Sequence, residues 1–328
     1  MISSLLEWFP GAKSKEDAMA IIPFHIVDAF AEHPFTGNPA AIIPNAATLT
    51  EAEMLQITDE LSMEAGFVLP PESANADVRL RFFTKRREAI LSGHVVIAAF
   101  ASMADRGFYR PHPAGLEIRL ETGAGILPVT LTAGEDGRTL IKLRLPDPRF
   151  GEPVPVGEVA AALDLPAEYL RIGDHGPHRV SCGFDQIIVP VNDRNAMRGV
   201  FRDMERIGEL TDRRGVGGIT LICPDTYSNE ADFHCRFFHP RVGADEDLAS
   251  GTSLGAVAAY LVDRGLVPLT DSLKVVTEQG HSLGRPTRAE IQVTASDGRI
   301  TAIDLVATGA VVMRGSFHFN RRAVLAAY

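Results

Sequence analysis

The sequence predicts an α+β protein built from two pseudo-symmetric halves, each a curled, mostly antiparallel sheet around a central buried helix. Three observations carry this expectation. The chain nearly repeats itself: RFFTKR at 81–86 parallels RFFHPR at 236–241, and SGHVVIAAFASMADRG at 92–107 parallels SGTSLGAVAAYLVDRG at 250–265. The offsets of 155 and 158 positions differ by three, so a three-residue insertion separates otherwise parallel segments. The run after each Ser-Gly is rich in Ala, Val, Ile and Leu, lacks proline and is too long for a typical strand, which predicts a helix. In the first copy Val95, Val96, Ile97, Ala98, Ala99, Phe100 and Met103 cover nearly the whole circumference, so that helix must be buried on all sides.

Taken in order, residues 1–20 read as an N-terminal extension, flexible or packed as a short helix through Leu5, Leu6, Trp8 and Phe9. The first half is expected over 21–148. FHIVDAF, beginning at Phe24, is a strand candidate, and the His-Pro and Gly-Asn-Pro pieces of AEHPFTGNPAAIIP demand turns. Thr50 and Glu53 form a capping box for a helix with Met54, Ile57 and Leu61 on its apolar face, ending near Ser62. Residues 77–83 alternate as a half-buried strand that delivers the chain to the first Ser-Gly helix. Strands follow at 116–120, 126–132 and 140–145, joined by turns such as Glu135-Asp136-Gly137. The proline-dense LPDPRFGEPVPV at 145–156 can neither continue a ladder nor form a helix, and marks the domain boundary.

The second half, 149–328, opens with a helix near 156–164 and a strand at 186–191. A helical period then runs through Met197, Val200, Phe201, Met204 and Ile207, followed by strands at 218–223 and 232–238. Beyond the second buried helix, strands are expected at 272–277, 289–294, 300–307 and 310–314. The tail is placed in the second half, although a repeat architecture could return its last strands to the first. There is no βαβ rhythm, no G-x-G-x-x-G after a strand and no G-x-x-x-x-G-K-[ST], which disfavours a nucleotide site.

The 45% hydrophobic and 23% charged content is that of a globular protein with substantial cores. A formal net charge of −10 argues against non-specific binding to nucleic acid or anionic membranes. No run reaches the length of a membrane span, and the N-terminus has no basic region ahead of its apolar patch. Three cysteines, an odd number without metal-ligand spacing, predict a reduced, cytoplasmic setting.

The starts of the two buried helices are the first candidates for chemistry. Their leading amides have no intrahelical partner, so Gly93/His94 and Gly251/Thr252 offer two anion sites, with glycine admitting close approach. The ordinary alternative is that Ser92 and Ser250 cap those amides. Glu64 lies among Met63, Ala65, Gly66, Phe67 and Val68, and a carboxylate in an apolar neighbourhood can exchange a proton near neutrality. Asp247 precedes the second helix start and suits a hydrogen-bond acceptor or a second acid or base. His94 stands at a positive helix end, which favours a neutral ring. No metal is expected: His234 and His239 face opposite sides of an extended run, and no third ligand appears at recognisable spacing.

DAFAEHPFTGNPAAIIP, MEAGFVLP at 63–70, the strand running into Ser-Gly-His, GADEDLASGTS at 243–253 and QGHSLGRP at 279–286 resemble the signature stretches of the phenazine-biosynthesis PhzF family. The resemblance covers about residue 22 to residue 315. It implies the fold shared with diaminopimelate epimerase and proline racemase, with the active site between two epimerase-like domains. It implies that Glu64 is the proton shuttle and that His94 and Asp247 are its catalytic companions; the helix-start sites at Gly93, Gly251 and Thr252 are then expected to bind a small carboxylate-bearing substrate. It further implies a homodimer and an isomerase without cofactor or metal. The family's Ser-Glu-Thr-Ala-Phe appears here as Met63-Glu64-Ala65-Gly66-Phe67, the proline after Asp247 is Leu248, and the Ser of the last motif is Thr252. Racemase relatives use paired cysteines, which neither Gly-His94 nor Gly-Thr252 contains. The expected reaction moves a proton and a double bond in a small cyclic or amino carboxylic acid. An epimerase using Glu64 and Asp247 on opposite substrate faces and a non-catalytic carboxylate binder are the alternatives.

Overall fold

The computed structural model describes residues 19–85, 87–134, 137–200, 203–241 and 245–320. The expected helix through Leu5 and Trp8, the turn residues Glu135 and Asp136, Phe201 of the helical period and Ala244 of the acidic motif lie outside them. The chain forms β1 (Met19–Ala29), β2 (Asn38–Ile43), α1 (Glu51–Leu61), β3 (Ala65–Leu69), β4 (Val78–Phe83), β5 (Glu88–Ala89), α2 (Gly93–Asp105), β6 (Leu116–Thr122), β7 (Gly125–Ala133) and β8 (Thr139–Arg144). It continues through β9 (Arg149–Pro153), α3 (Val156–Leu163), β10 (His178–Ser181), β11 (Asp185–Pro190), α4 (Arg194–Arg198), α5 (Met204–Arg214), β12 (Gly218–Cys223) and β13 (Phe233–Phe238). The remainder is α6 (Gly251–Asp263), β14 (Ser272–Gln279), β15 (Thr287–Ser296), β16 (Arg299–Ala307) and β17 (Gly309–Asn320).

Strand pairing gives two arcs of the same plan. The first runs β17-β1-β2-β3-β4-β6-β7-β8. The second runs β9-β10-β11-β12-β13-β14-β15-β16. In each, the successive pairings are antiparallel, antiparallel, parallel, antiparallel, parallel, antiparallel and antiparallel. The fold is α+β. The tail strand β17 is hydrogen-bonded to β1 along its length, so it sits with the first arc although the chain reaches it last. Antiparallel pairing of β8 with β16 joins the arcs.

Each arc wraps one helix of 13 residues, and the sequence explains why. α2 is buried from Gly93 to Met103 and α6 from Gly251 to Val262, so neither helix has a polar face to turn outwards. Both end in Arg followed by a glycine of positive φ, 70° at Gly107 and 66° at Gly265, where a β-carbon would be strained. α1 has both halves of its capping box and stops at Ser62 in the left-handed region.

Two local expectations change. The proline-dense boundary contains β9, which among the described residues pairs with β10 alone, at the end of the second arc, a place where missing N–H donors are tolerated. The single helical period of 197–207 is two helices, because Asp193 and Asp203 each accept first-turn amide hydrogen bonds and the first helix ends at Gly199. All three cysteines are buried and free. Among the described residues, no helix is long and apolar enough to cross a membrane.

Candidate active site

The two buried helices meet start to start. A β-carbon on Gly93 would lie 3.1 Å from the Gly251 Cα, and one on Gly251 would lie 2.3 Å from the Leu305 Cδ2. Glycine at both positions therefore lets two clusters of helix-start amides face the same space. Neither Ser92 nor Ser250 caps its own helix with its side chain. The first intrahelical bonds are donated by Val96 and Leu254, so the amides before them point beyond the helices.

Ser92 instead joins the candidate acid–base groups. Its hydroxyl donates to Glu64 Oε2 at 2.9 Å and lies 3.2 Å from His94 Nδ1. His94 Nε2 is 3.7 Å from the same Glu64 oxygen. Glu64 is positioned by the backbone just ahead of β3, where its carbonyl accepts from Ala41 N. Ala65, Gly66 and Phe67 are buried, while the Glu64 side chain is 29% exposed. The apolar neighbourhood read from the sequence thus lies behind the carboxylate, which itself faces the cavity.

Asp247 stands across from it, on the chain leading to α6. Its amide donates to Phe237 O, and Oδ1 accepts from Asn38 Nδ2 at 2.8 Å. Oδ2 is 3.4 Å from His239 Nε2. Burial pushes the Asp247 carboxyl up, but the hydrogen bond and charge of His239, the charge of His94 and the Ala249 amide outweigh it and hold the group below the ordinary carboxylate range.

A cavity of about 370 Å³ is lined by Glu64, His94 and Asp247 together. Glu64, Ser92, Gly93 and His94 line it from the first arc, and His239, Asp247, Ser250 and Thr252 from the second. Phe184 and Phe237, edge to face with centroids 5.6 Å apart, form an aromatic wall, and Phe237 stacks on His239 at 4.6 Å. Arg87 also contributes to the lining. No cysteine appears in this lining. Burial raises Cys182 to about 12 and Cys223 to about 11, and also raises Cys235.

The structure brings together Glu64, His94, Asp247, Gly93, Gly251 and Thr252, all singled out from the sequence. Three further groups were not. The Gly-Asn-Pro context of Asn38 signals a turn, yet its amide bridges Asp247 Oδ1 and Ala249 O. The sequence position of His239 suggests nothing beyond a metal ligand, and Phe184 carries no local signal.

The PhzC-PhzF family model, described as "Phenazine biosynthesis-like protein", matches residues 27–315. The chain belongs to the PhzC-PhzF family. An uncharacterized isomerase of Deinococcus radiodurans is 30% identical over 88% of this chain and 92% of its own. The trans-2,3-dihydro-3-hydroxyanthranilate isomerase of Pseudomonas aeruginosa is 25% identical over 88% and 97%. Among solved structures, the Bacillus anthracis PhzF-family protein superposes with a TM-score of 0.81 at 29% identity, covering 91% of this chain and 99% of that one. A hydroxyproline epimerase from Agrobacterium vitis, at TM-score 0.62 and 14% identity over 93% of each chain, shares the fold. The protein is an isomerase of the PhzF type.

Two PhzF signature stretches acquire a structural meaning. Arg285 of QGHSLGRP donates to Asp28 Oδ1 at 2.9 Å and to the carbonyls of Thr36 and Gly37, tying the second arc to the loop after β1. The motif alanine is Gly66 here, and a methyl there would lie 2.5 Å from Val95 Cγ1. Glycine there leaves room for Val95 on α2.

Proposed function

We propose that the protein shifts a proton, and with it a double bond, in a small cyclic carboxylic acid, with Glu64 as the proton carrier. The observation that carries this reading is the placement of Glu64, bonded to Ser92 and beside His94, at the two abutting helix starts. The amides around Gly93/His94 and Gly251/Thr252 hold the substrate carboxylate, and they stabilise negative charge that develops as the proton leaves carbon. Glu64 takes the C–H proton, the electron pair moves into the conjugated system, and Glu64 returns the proton at another carbon of the same molecule. Atoms and charge balance without an external donor. Ser92 and His94 orient the carboxylate between the two transfers. Phe184 and Phe237 favour a planar ring, consistent with the named reaction of the Pseudomonas relative.

The epimerase alternative needs a second acid on the opposite substrate face. Asp247 is bonded to Asn38, close to His239 and held below the ordinary carboxylate range, so it favours remaining ionised over donating a proton. That observation supports a single carrier, with Asp247 as a positioning group. The homodimer and the division into two domains near residues 148–149 belong to this proposal.

The test is solvent deuterium exchange followed by NMR over a panel of small unsaturated and cyclic carboxylic acids. Glu64→Gln is expected to lower exchange at least about 100-fold, the scale of general acid–base catalysis, while melting like the parent protein. Full exchange by the folded variant removes Glu64 from the mechanism. Tight carboxylate binding without exchange by the parent protein supports the binding-protein alternative instead.

A further inference from the structure

Parallel pairing of β13 with β14 assembles a second group of ionisable side chains away from the cavity lining. His234 and Glu278 are register partners, so their side chains leave the sheet on the same face. His234 Nδ1 and Glu278 Oε1 are 3.4 Å apart, and both side chains are only 3% exposed. His281 enters from the turn after β14, with its Nε2 4.0 Å from Glu278 Oε2. One donor atom from each of the three residues lies within 4.8 Å of the other two.

Two further features distinguish this cluster from a packed core pair. His234 Nδ1 is buried and faces the Glu278 carboxylate at 3.4 Å without a well-formed hydrogen bond. Glu278 receives the amides of Tyr227 and Ser228, at 2.6 Å on Oε1 and 3.0 Å on Oε2. Those bonds fix the carboxylate and leave each oxygen a further lone pair, the arrangement that supports a ligating carboxylate. His281 is held by stacking on Tyr227, with centroids 4.4 Å apart and planes 11° from parallel. Arg194, the cation over the Tyr227 ring, is occupied by Asp225 and the Thr226 carbonyl.

We propose that His234, Glu278 and His281 bind one zinc-like divalent cation that clamps β13 to β14. Two imidazoles and a carboxylate suit Zn²⁺, whose bonds of about 2.0 Å place tetrahedral ligand atoms roughly 3.3 Å apart. His234 and Glu278 already have that spacing, and the half-buried His281 closes the remainder by a small side-chain movement. The clamp has a reason to exist: the β13–β14 ladder has two register pairs, Phe233 with Thr277 and His234 with Glu278. Gln279, next to Glu278, donates to Asp247 O at 2.7 Å, so fixing β14 also steadies a wall of the cavity.

The test titrates the full chain, first stripped with chelator, with Zn²⁺ by calorimetry and thermal melting. One equivalent is expected to bind and to raise Tm by several degrees. His281→Ala is expected to weaken binding at least about 100-fold and to abolish the Tm rise, while His33→Ala, at an exposed histidine, keeps both. Co²⁺ added to the unmodified protein provides a readout independent of variant folding, with the visible bands of four-coordinate nitrogen and oxygen ligation expected. Absence of binding by the unmodified protein overturns the proposal, as does an unchanged equivalent in His281→Ala or a six-coordinate Co²⁺ spectrum.

Discussion

At the scale of single residues, two carboxylates in one cavity have different surroundings. Glu64 meets one hydroxyl and one imidazole and remains partly exposed, the setting that the proposed proton carrier requires. Asp247 is committed to Asn38 and stands beside His239. Its folded-state pKa is depressed, so its contribution to stability is present above the unfolded value of 3.8 and is lost as pH falls through the lower folded value. Asp247→Asn is expected to cost about 2 kcal/mol at pH 7, the scale of a charged hydrogen bond. Urea unfolding from pH 7 to pH 3 should show the gap between parent and variant shrinking on the acid side. A gap that is constant across this range would leave the cost to shape and packing alone.

At the scale of elements, glycine at the two helix starts decides whether α2 and α6 can abut. Gly93→Ala would bring a methyl within 3.1 Å of the Gly251 backbone and is expected to cost about 1–3 kcal/mol by overpacking. Gly251→Ala would meet the terminal methyl of buried Leu305 at 2.3 Å and is expected to cost a comparable amount, because that side chain must shift within the core. Thermal melting ranks the two variants against the parent. Both should also weaken carboxylate binding, because the amide clusters would be forced apart. Wild-type melting in either variant would mean that the two helix starts are not held in contact. The strand β9 shows the complementary case: proline density is a barrier to pairing inside a sheet, but an end strand needs donors on only one side.

At the scale of the molecule, the arcs are joined by the β8–β16 ladder, by the abutting helix starts and by Arg285 reaching Asp28. Asp28 is 3% exposed and also accepts from Phe35 N at 2.7 Å. Arg285→Met removes the cation and leaves a buried carboxylate uncompensated, at an expected cost of about 3 kcal/mol. Chemical denaturation measures the loss, and the variant should also lose turnover, because the loop held by Arg285 leads into Asn38. A variant with unchanged stability would show that solvent replaces the guanidinium at no cost.

Most of the fold was legible because its signals are local or repeated. The Ser-Gly helices recur at an offset of 158, the Val78–Phe83 and Phe233–Phe238 strands at 155, and the capping box of α1 occupies four consecutive positions. The site was legible only in part. Glu64, His94 and Asp247 stood out through motif resemblance, whereas Asn38 reaches Asp247 across 209 positions and its Gly-Asn-Pro context signals only a turn. The two partners of His234 were equally hidden, since Glu278 arrives by strand pairing and His281 from the turn after β14, not by spacing along the chain. The sequence by itself determined the two buried helices, the paired halves and the residue types available for proton transfer, because hydrophobic periodicity and repetition are written at short range. Tertiary structure alone decided that the last strand joins the first, that two glycines abut, and which polar groups face one cavity, because hydrogen bonds and burial depend on neighbours that chain order does not record.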